Sequence, residues 1–272
     1  MKSQIVKIVL AVVAVVLGLG LNALGENTAI APLHVEGSLE TRSAYISRAK
    51  VVEDRPSAIQ DVSIDSEIGP FGRLGLAEWS YSSLCNRSQE IHRRAFSEFD
   101  LGFYWNYDWN FADDWKICNR VYHWWIVLEG YRHDEVDYST YEWWYTGSID
   151  NPYLVPSLLM RRGWNNENWA YFKVGLSKPL TFETLSPQLT FTPGVFCDLG
   201  NKPLFEARYG DDGCGAMAAL AQFSITYTPH SAFSFYAILQ QYGLTDHNLR
   251  QRAGGMNHRD LTILTIGANV RF

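Results

Sequence analysis

A stretch of strict two-residue alternation most limits how this chain can fold. Between Ala95 and Trp109, one face would carry Phe99, Leu101, Phe103, Trp105, Tyr107 and Trp109, and the other Glu98, Asp100, Gly102, Asn106 and Asp108. Alternation with a period of two is typical of a β-strand. A strand with one apolar face and one acidic face needs two different surroundings. These are either lipid outside and water inside, or a sandwich core against bulk water.

The same alternation recurs along the chain, and turn signals divide the sequence into about twelve strands. We predict these strands near residues 33–46, 57–65, 70–83, 94–109, 117–132, 138–149, 153–162, 168–178, 187–199, 215–228, 231–244 and 260–272. The segment 57–65 has the shortest alternation. Without it the count would be odd, and we would then expect ten strands.

Composition helps to choose between the two surroundings. Aromatic residues make up 14% of the chain and charged residues only 19%, whereas soluble domains carry about 25% charged residues. Trp and Tyr suit a membrane–water interface. Beyond the N-terminus, no stretch reaches the length of about 18 consecutive apolar residues expected of a membrane helix, so a membrane span would have to be a closed sheet. The predicted fold class is therefore an all-β, transmembrane, antiparallel up-and-down barrel, with a soluble secreted β-sandwich as the alternative.

The N-terminus has the order of features found in a secretory signal peptide. Lys2 and Lys7 precede an uncharged apolar run, and Ala23 and Gly25 are small residues suited to cleavage before Glu26. We predict a signal peptide at residues 1–25 and a single barrel domain at 26–272. Cleavage would remove two lysines and change the formal charge from −6 to −8.

The last strand carries a family resemblance. Leu264, Ile266, Ala268, Val270 and Phe272 alternate up to a C-terminal aromatic residue. This segment resembles the closing strand of bacterial outer-membrane β-barrel proteins. The resemblance implies insertion into outer-membrane lipid by the barrel assembly machinery. The middle of the chain, with Asp113-Asp114-Trp115, Glu129-Gly130-Tyr131 and Asp150-Asn151-Pro152, is similar to uncharacterised porins.

The polar faces of the predicted strands supply candidate pore-lining residues. These are Glu36, Glu40, Arg42, Asp61, Asp65, Glu98, Asp100, Glu142 and Lys173. Because side-chain charge sets ion selectivity in a narrow pore, this excess of carboxylates predicts a porin-like passive channel for small polar solutes with a mild preference for cations. The alternative is that the charged residues pair and plug the lumen, which would leave a structural or adhesion barrel.

Motifs for other chemistry are missing from the sequence. There is no Gly-x-Ser-x-Gly nucleophile motif, so we predict no enzymatic activity, with an outer-membrane enzyme as a further alternative. The seven histidines lack zinc-site spacing, and we predict no metal and no cofactor. The acidic mature chain has no basic patch for nucleic acid.

The four cysteines allow two interpretations. Cys197 and Cys214 flank one predicted outer loop, so these two residues either form a disulfide or are ordinary small apolar residues. Cys85 and Cys118 should lie at opposite ends of a strand. A membrane-spanning strand separates its ends by ~25 Å, and a disulfide requires Cα atoms within ~7 Å. We therefore predict that Cys85 and Cys118 do not pair with each other.

Overall fold

The computed structural model describes residues 32–84, 98–129, 140–163, 168–182, 186–253 and 259–272. The predicted signal peptide and Cys85 lie outside these residues. The strands are β1 (Leu33–Arg42), β2 (Tyr45–Ser47), β3 (Lys50–Glu53), β4 (Ser57–Glu67), β5 (Arg73–Ser83), β6 (Glu98–Ala112), β7 (Trp115–Glu129), β8 (Thr140–Asp150), β9 (Val155–Gly163), β10 (Ala170–Ser177), β11 (Leu180–Thr181), β12 (Leu189–Gly200), β13 (Gly215–His230), β14 (Phe233–Leu244) and β15 (Asp260–Arg271). Two short helices follow strands β12 and β14, namely α1 (Lys202–Tyr209) and α2 (His247–Arg252), and a 3₁₀ turn spans Gly69–Phe71.

Within the described residues, twelve strands form one antiparallel sheet that closes on itself. Neighbours in sequence are neighbours in the sheet from β4 to β10 and from β12 to β15. The ring is completed where β10 pairs with β12 and where β1 joins β15 to β4. The prediction of a twelve-stranded up-and-down barrel is confirmed. The ten-strand alternative is wrong, because segment 57–65 does form a strand. The sandwich alternative is wrong, because the large sheet closes into a barrel, and the other sheet of the described residues is the β2–β3 hairpin.

The two ends of the barrel differ in their connections. At one end, the short-turn end, β6–β7 and β13–β14 are joined by two residues each, and β8–β9 by four. The side chain of Asn151 builds the β8–β9 turn by accepting hydrogen bonds from the backbone N–H groups of Tyr153 (2.9 Å) and Leu154 (3.1 Å). The opposite end, the long-loop end, carries β2, β3, α1 and α2. Short periplasmic turns and longer outer loops are the usual arrangement in bacterial barrels.

The outward face of the sheet is an apolar band. Leucines, isoleucines, valines and phenylalanines at alternate positions stay exposed, among them Leu39, Leu76, Leu101, Phe103, Val195, Leu239, Leu264 and Ile266. Exposed aromatic side chains lie toward both ends. At the short-turn end they include Trp109, Phe111, Tyr153, Phe233 and Phe272, and toward the long-loop end Trp125, Tyr141 and Trp143. An apolar band flanked by aromatic girdles is the surface that a membrane barrel presents to lipid.

No helix among the residues described above is long and apolar enough to cross a membrane.

Two details of the strands depart from expectation. The predicted strand 33–46 stops at Arg42, because the chain turns there and forms the β2–β3 hairpin instead of continuing. Pro156 and Pro193 lie inside β9 and β12, although proline cannot donate a ladder hydrogen bond. Pro156 is the second residue of its strand, and the carbonyl of Pro193 still accepts from the backbone N–H of Lys178 (3.0 Å).

Candidate channel lumen

All nine predicted pore-lining residues lie on inward faces of the barrel. The register shows this strand by strand, since Arg42 pairs with Ser57, Glu40 with Ile59, and Ile59 with Tyr81, all on the inner side. The same alternation directs Asp65, Asp100, Glu142 and Lys173 inward. Their assignment as pore-lining residues in a working channel stays a prediction.

The sequence reasoning missed several inward charges. The structure adds the carboxylates Glu67, Asp108, Asp150 and Asp198, and the bases Arg73, Lys116, Arg120, Arg161 and Arg271. Extending the phase of the alternation through residues 115–129 would have found Lys116 and Arg120. In β9, by contrast, both faces carry large residues. The sequence therefore does not show which of Arg161 and Arg162 faces the lumen.

Most of the added bases neutralise a carboxylate. The Nζ of Lys116 lies 2.7 Å from an oxygen of Asp108, and the Nε of Arg271 lies 2.7 Å from Glu36. An oxygen of Asp65 lies 3.4 Å from Arg73, and Asp198 lies 3.8 Å from Lys173. Arg42 donates to Glu40 through its Nε at 2.6 Å. The inner wall is therefore lined by ion pairs and not by the row of carboxylates that sequence alone predicts.

Two guanidinium groups rest on aromatic rings. The guanidinium carbon of Arg161 lies 3.7 Å from the ring centre of Trp144, and that of Arg120 lies 5.4 Å from Tyr104 and 5.9 Å from Tyr122. Arg120 also donates to the hydroxyl of Tyr122 (3.0 Å). Cations placed over ring faces are attracted by the ring quadrupole, so these rings fix the positions of both arginines.

Aromatic residues also fill part of the interior beside these arginines. Tyr122 stacks on Trp124 with ring centres 5.2 Å apart, and Trp124 lies 5.3 Å from Trp144. The hydroxyl of Tyr104 donates to Asp65 at 2.5 Å. Asp100 faces inward as predicted but is only 1% exposed.

A hairpin closes much of the long-loop end. We call residues 44–55, which contain β2 and β3, the plug hairpin. Its side chains reach three separate parts of the wall. Tyr45 stacks on Tyr81 of β5 with ring centres 4.6 Å apart, and Arg48 forms an ion pair with Glu142 of β8. The hydroxyl of Tyr242 on β14 donates to the carbonyl of Ala49. A segment that contacts β5, β8 and β14 at once lies across the lumen.

The tip of the plug hairpin is a strained two-residue turn. Arg48 and Ala49 both have positive φ values, 51° and 60°. Two residues with positive φ are what a type I′ hairpin turn requires, but residues with a Cβ rarely adopt this conformation. Ala49 is fully buried, and its carbonyl also accepts from the hydroxyl of Tyr209 (2.6 Å). Contacts at the tip therefore compensate the strain of the turn.

Two short helices cover the plug hairpin from outside. The side chains of Asn201 and Asp246 cap α1 and α2 by accepting from the N–H groups of Leu204 (3.2 Å) and Leu249 (3.0 Å). Both leucines are buried in the cluster that also contains Ala49. Burial raises the pKa of Tyr209, on α1, to about 12. Its hydroxyl therefore remains a hydrogen-bond donor to the plug hairpin throughout the neutral range.

Below the plug hairpin the lumen is hollow. Three cavities of about 710, 430 and 350 Å³ follow one another. The two larger cavities share Glu36, Arg120 and Arg271 in their walls, and the 710 and 350 Å³ cavities share Leu159 and Lys173. Since these walls are shared, the cavities are parts of one polar interior. The 350 Å³ space, which we call the central cavity, lies directly against the plug hairpin residues Tyr45 and Arg48.

The interpretation of Cys197 and Cys214 as a disulfide requires correction, because both cysteines are free in the structure, as is Cys118. Gly200 pairs with Gly215 at the rim, and Cys197 lies three residues below Gly200 on β12. At about 3.3 Å per residue, Cys197 lies about 10 Å below the level of Gly215, and Cys214 lies one residue beyond Gly215. This separation exceeds the ~7 Å limit for a disulfide.

The C-terminal residues of the resemblance lie where a lipid-facing strand requires them. Leu264, Ile266 and Phe272 are exposed on the outward face of β15. Phe272 is tied to the first strand by a reciprocal pair of backbone hydrogen bonds with Val35, both 2.9 Å. The part of this segment in insertion stays a prediction.

Among the residues that the structure describes, no group of three or more His, Cys, Asp or Glu side chains is arranged to hold a metal ion.

A closed antiparallel barrel with an apolar, aromatic-rimmed exterior and a charged interior is the architecture of bacterial outer-membrane β-barrel proteins. No protein-family model and no curated protein matches the chain.

Among solved structures, the fold is similar to a KdgM porin in complex with disordered oligogalacturonate, with 9% identity, a TM-score of 0.47, and coverage of 88% of this chain and 99% of that chain. It is also similar to the COG4313 outer membrane channel from Pseudomonas putida F1 (10% identity, TM-score 0.49, 91% and 97% covered) and to the outer membrane protein OprD from Pseudomonas aeruginosa (11%, 0.44, 91% and 66%). Identities of 9–11% show similarity of fold alone. The chemistry of the lumen therefore follows from the residues of this chain.

Proposed function

We propose that the protein is a passive channel for small polar solutes across a bacterial outer membrane. The observation that carries the proposal is the continuous polar interior. A cavity of about 710 Å³, walled mainly by charged and polar side chains together with Leu159 and Phe196, adjoins two further cavities between the short-turn end and the plug hairpin. Side chains just fill a barrel of about eight strands, and twelve strands enclose a wider interior.

The mild cation preference stays a prediction. It is based on the number of predicted inward charges, which are seven carboxylates and the two bases Arg42 and Lys173. Among the described side chains, eleven inward carboxylates face seven strand-borne bases and Arg48 of the plug hairpin. This near balance supports at most a small net field from the charge count alone.

The plug hairpin favours a second candidate function. Its contacts with β5, β8 and β14 are those of a fixed closure. If the plug hairpin never moves, the barrel would be a structural or adhesion protein that displays its long loops.

The proposed channel function assigns no catalytic step, metal or cofactor to the chain. Its partners would be membrane lipid, the assembly machinery acting on the strand that ends at Phe272, and the solutes themselves.

Swelling of protein-containing liposomes in neutral sugars tests passive diffusion. We expect swelling rates to fall from pentoses to disaccharides and to reach the empty-liposome rate with large oligosaccharides, because the cavities are too narrow for them. Heat-unfolded protein added to the same lipid is the control. Folded protein that causes no swelling with even the smallest sugar would contradict the channel and favour the plugged barrel.

A further inference from the structure

The ion pairs of the lumen are built with a consistent orientation. In each pair the base is more exposed than its carboxylate: 30% against 9% for Arg42 and Glu40, 27% against 3% for Arg73 and Asp65, and 30% against 1% for Lys173 and Asp198. The short carboxylate side chains lie against the wall. The long basic side chains extend past them into the open space. A solute in the lumen would therefore meet the cations first.

The same orientation holds nearer the short-turn end. Arg271 is 69% exposed and its partner Glu36 only 29%. The pair of Lys116 and Asp108 is nearly even, at 40% and 35%. Of the inward carboxylates, Asp100 and Glu142 are each only 1% exposed. The charge count of the inward residues is thus slightly acidic, but the lumen surface around Arg42, Arg161 and Lys173 is basic. Toward the short-turn end, the inward carboxylates Glu67 and Asp150 are exposed.

Two inward cations form no direct ion pair with a carboxylate in the part of the chain that the structure describes. Among the described residues, neither Arg120 nor Arg161 has a carboxylate within ion-pair distance, and both rest on aromatic rings. The Nε of Arg161 is buried without a hydrogen-bond partner. Arg161 lines the central cavity with Arg42 and Lys173. Asp198 and Asp61 also line this cavity, and Asp61 has no ion-pair partner among the described residues.

From this arrangement we propose that the central cavity binds small organic anions through their carboxylate groups, with Arg161 as the principal contact and Lys173 and Arg42 beside it. A guanidinium group presents parallel N–H donors that match a carboxylate. Trp144 holds the guanidinium of Arg161 in place, so little side-chain freedom is lost on binding. The proposal rests on the channel function for its physiological meaning, but binding itself does not require conduction.

Binding is tested by calorimetric titration of the detergent-solubilised, folded barrel with succinate. Its neutral diamide serves as the uncharged probe. Succinate should bind and the diamide should not. Arg161→Gln should weaken succinate binding about tenfold, the low end of what a charged hydrogen bond contributes. Arg250→Gln is the matched control, because Arg250 pairs with Asp260 at the long-loop end and does not line the cavity. Equal binding of the diamide, or no loss in Arg161→Gln, would overturn the proposal.

Reversal potentials in a potassium chloride gradient measure the ion preference of the lumen, independently of succinate binding. The basic lumen surface predicts preference for chloride over potassium, and Arg161→Gln should move the reversal potential toward the cation side. Preference for potassium in the wild type would overturn the inference and restore the prediction made from the charge count. Succinate binding without any current would instead remove the channel function and keep the anion site, so the two failures are distinguishable.

Discussion

Replacing residues 44–55 by an Asn-Gly turn should raise the single-channel conductance severalfold. Arg42 of β1 pairs directly with Ser57 of β4, so the two strands are close enough for a two-residue connection. The barrel itself should remain closed, because none of its twelve strands is altered. Removal of the plug hairpin would join the central cavity to the long-loop end. Planar bilayer recordings of the wild type and the variant measure the difference.

A single substitution removes one anchoring contact of the plug hairpin and leaves the hairpin itself in the lumen. Arg48→Ala leaves Glu142 buried without its ion-pair partner, which costs about 3–5 kcal/mol. This cost would lower the population ratio of closed to open plug hairpin on the order of a hundredfold or more. We expect more frequent large openings, but fewer than in the deletion, because the bonds from Tyr209 and Tyr242 to Ala49 remain.

Lys202→Ala is the control for this substitution, since its pair with Glu206 is exposed at the same end of the barrel. Unchanged conductance in both the deletion and Arg48→Ala would show that the plug hairpin does not limit the current.

Leu101→Arg should destabilise the membrane-inserted barrel by about 2–4 kcal/mol, the cost of a basic side chain at the lipid midplane. Leu101 is 43% exposed on the outward face of β6. Urea unfolding in lipid vesicles, followed by the shift in gel mobility between heated and unheated samples, measures the loss.

The matched control for Leu101→Arg is Ser38→Arg. Ser38 faces the lumen at the middle of β1 and pairs with Asp61, so the new guanidinium would meet water and a carboxylate. Ser38→Arg should leave the free energy of unfolding nearly unchanged. Asp100 is unsuitable as a control, because its inward position is buried. Equal damage from both substitutions would mean that the outer surface is not in lipid.

Sequence alone predicted the strands and their faces well, because both depend on local alternation. β6 is the example. Its apolar residues face outward and its acidic residues inward, as the period-two pattern requires. Even the short alternation of segment 57–65 was sufficient to predict β4. The boundaries shift by a few residues at most, except where β1 gives way to the plug hairpin.

The features that sequence could not supply are contacts between distant residues. Nothing local connects Arg48 with Glu142, or Ala49 with Tyr242, yet these contacts place the plug hairpin across the lumen. The orientation of the ion pairs likewise depends on side-chain length and on wall packing. The disulfide interpretation was wrong for a related reason: sequence placed Cys197 and Cys214 at one loop but did not give their difference in height along β12.

Single-channel recording of the wild-type protein in a planar bilayer tests the central claim most directly. Protein that shows heat-modifiable mobility, and is therefore folded, should give discrete current steps that scale with salt concentration, because displacement of the plug hairpin would connect the charged, hollow interior to the long-loop side. The absence of steps from such folded protein, at voltages that leave the bilayer intact, would contradict the claim that the barrel is a channel.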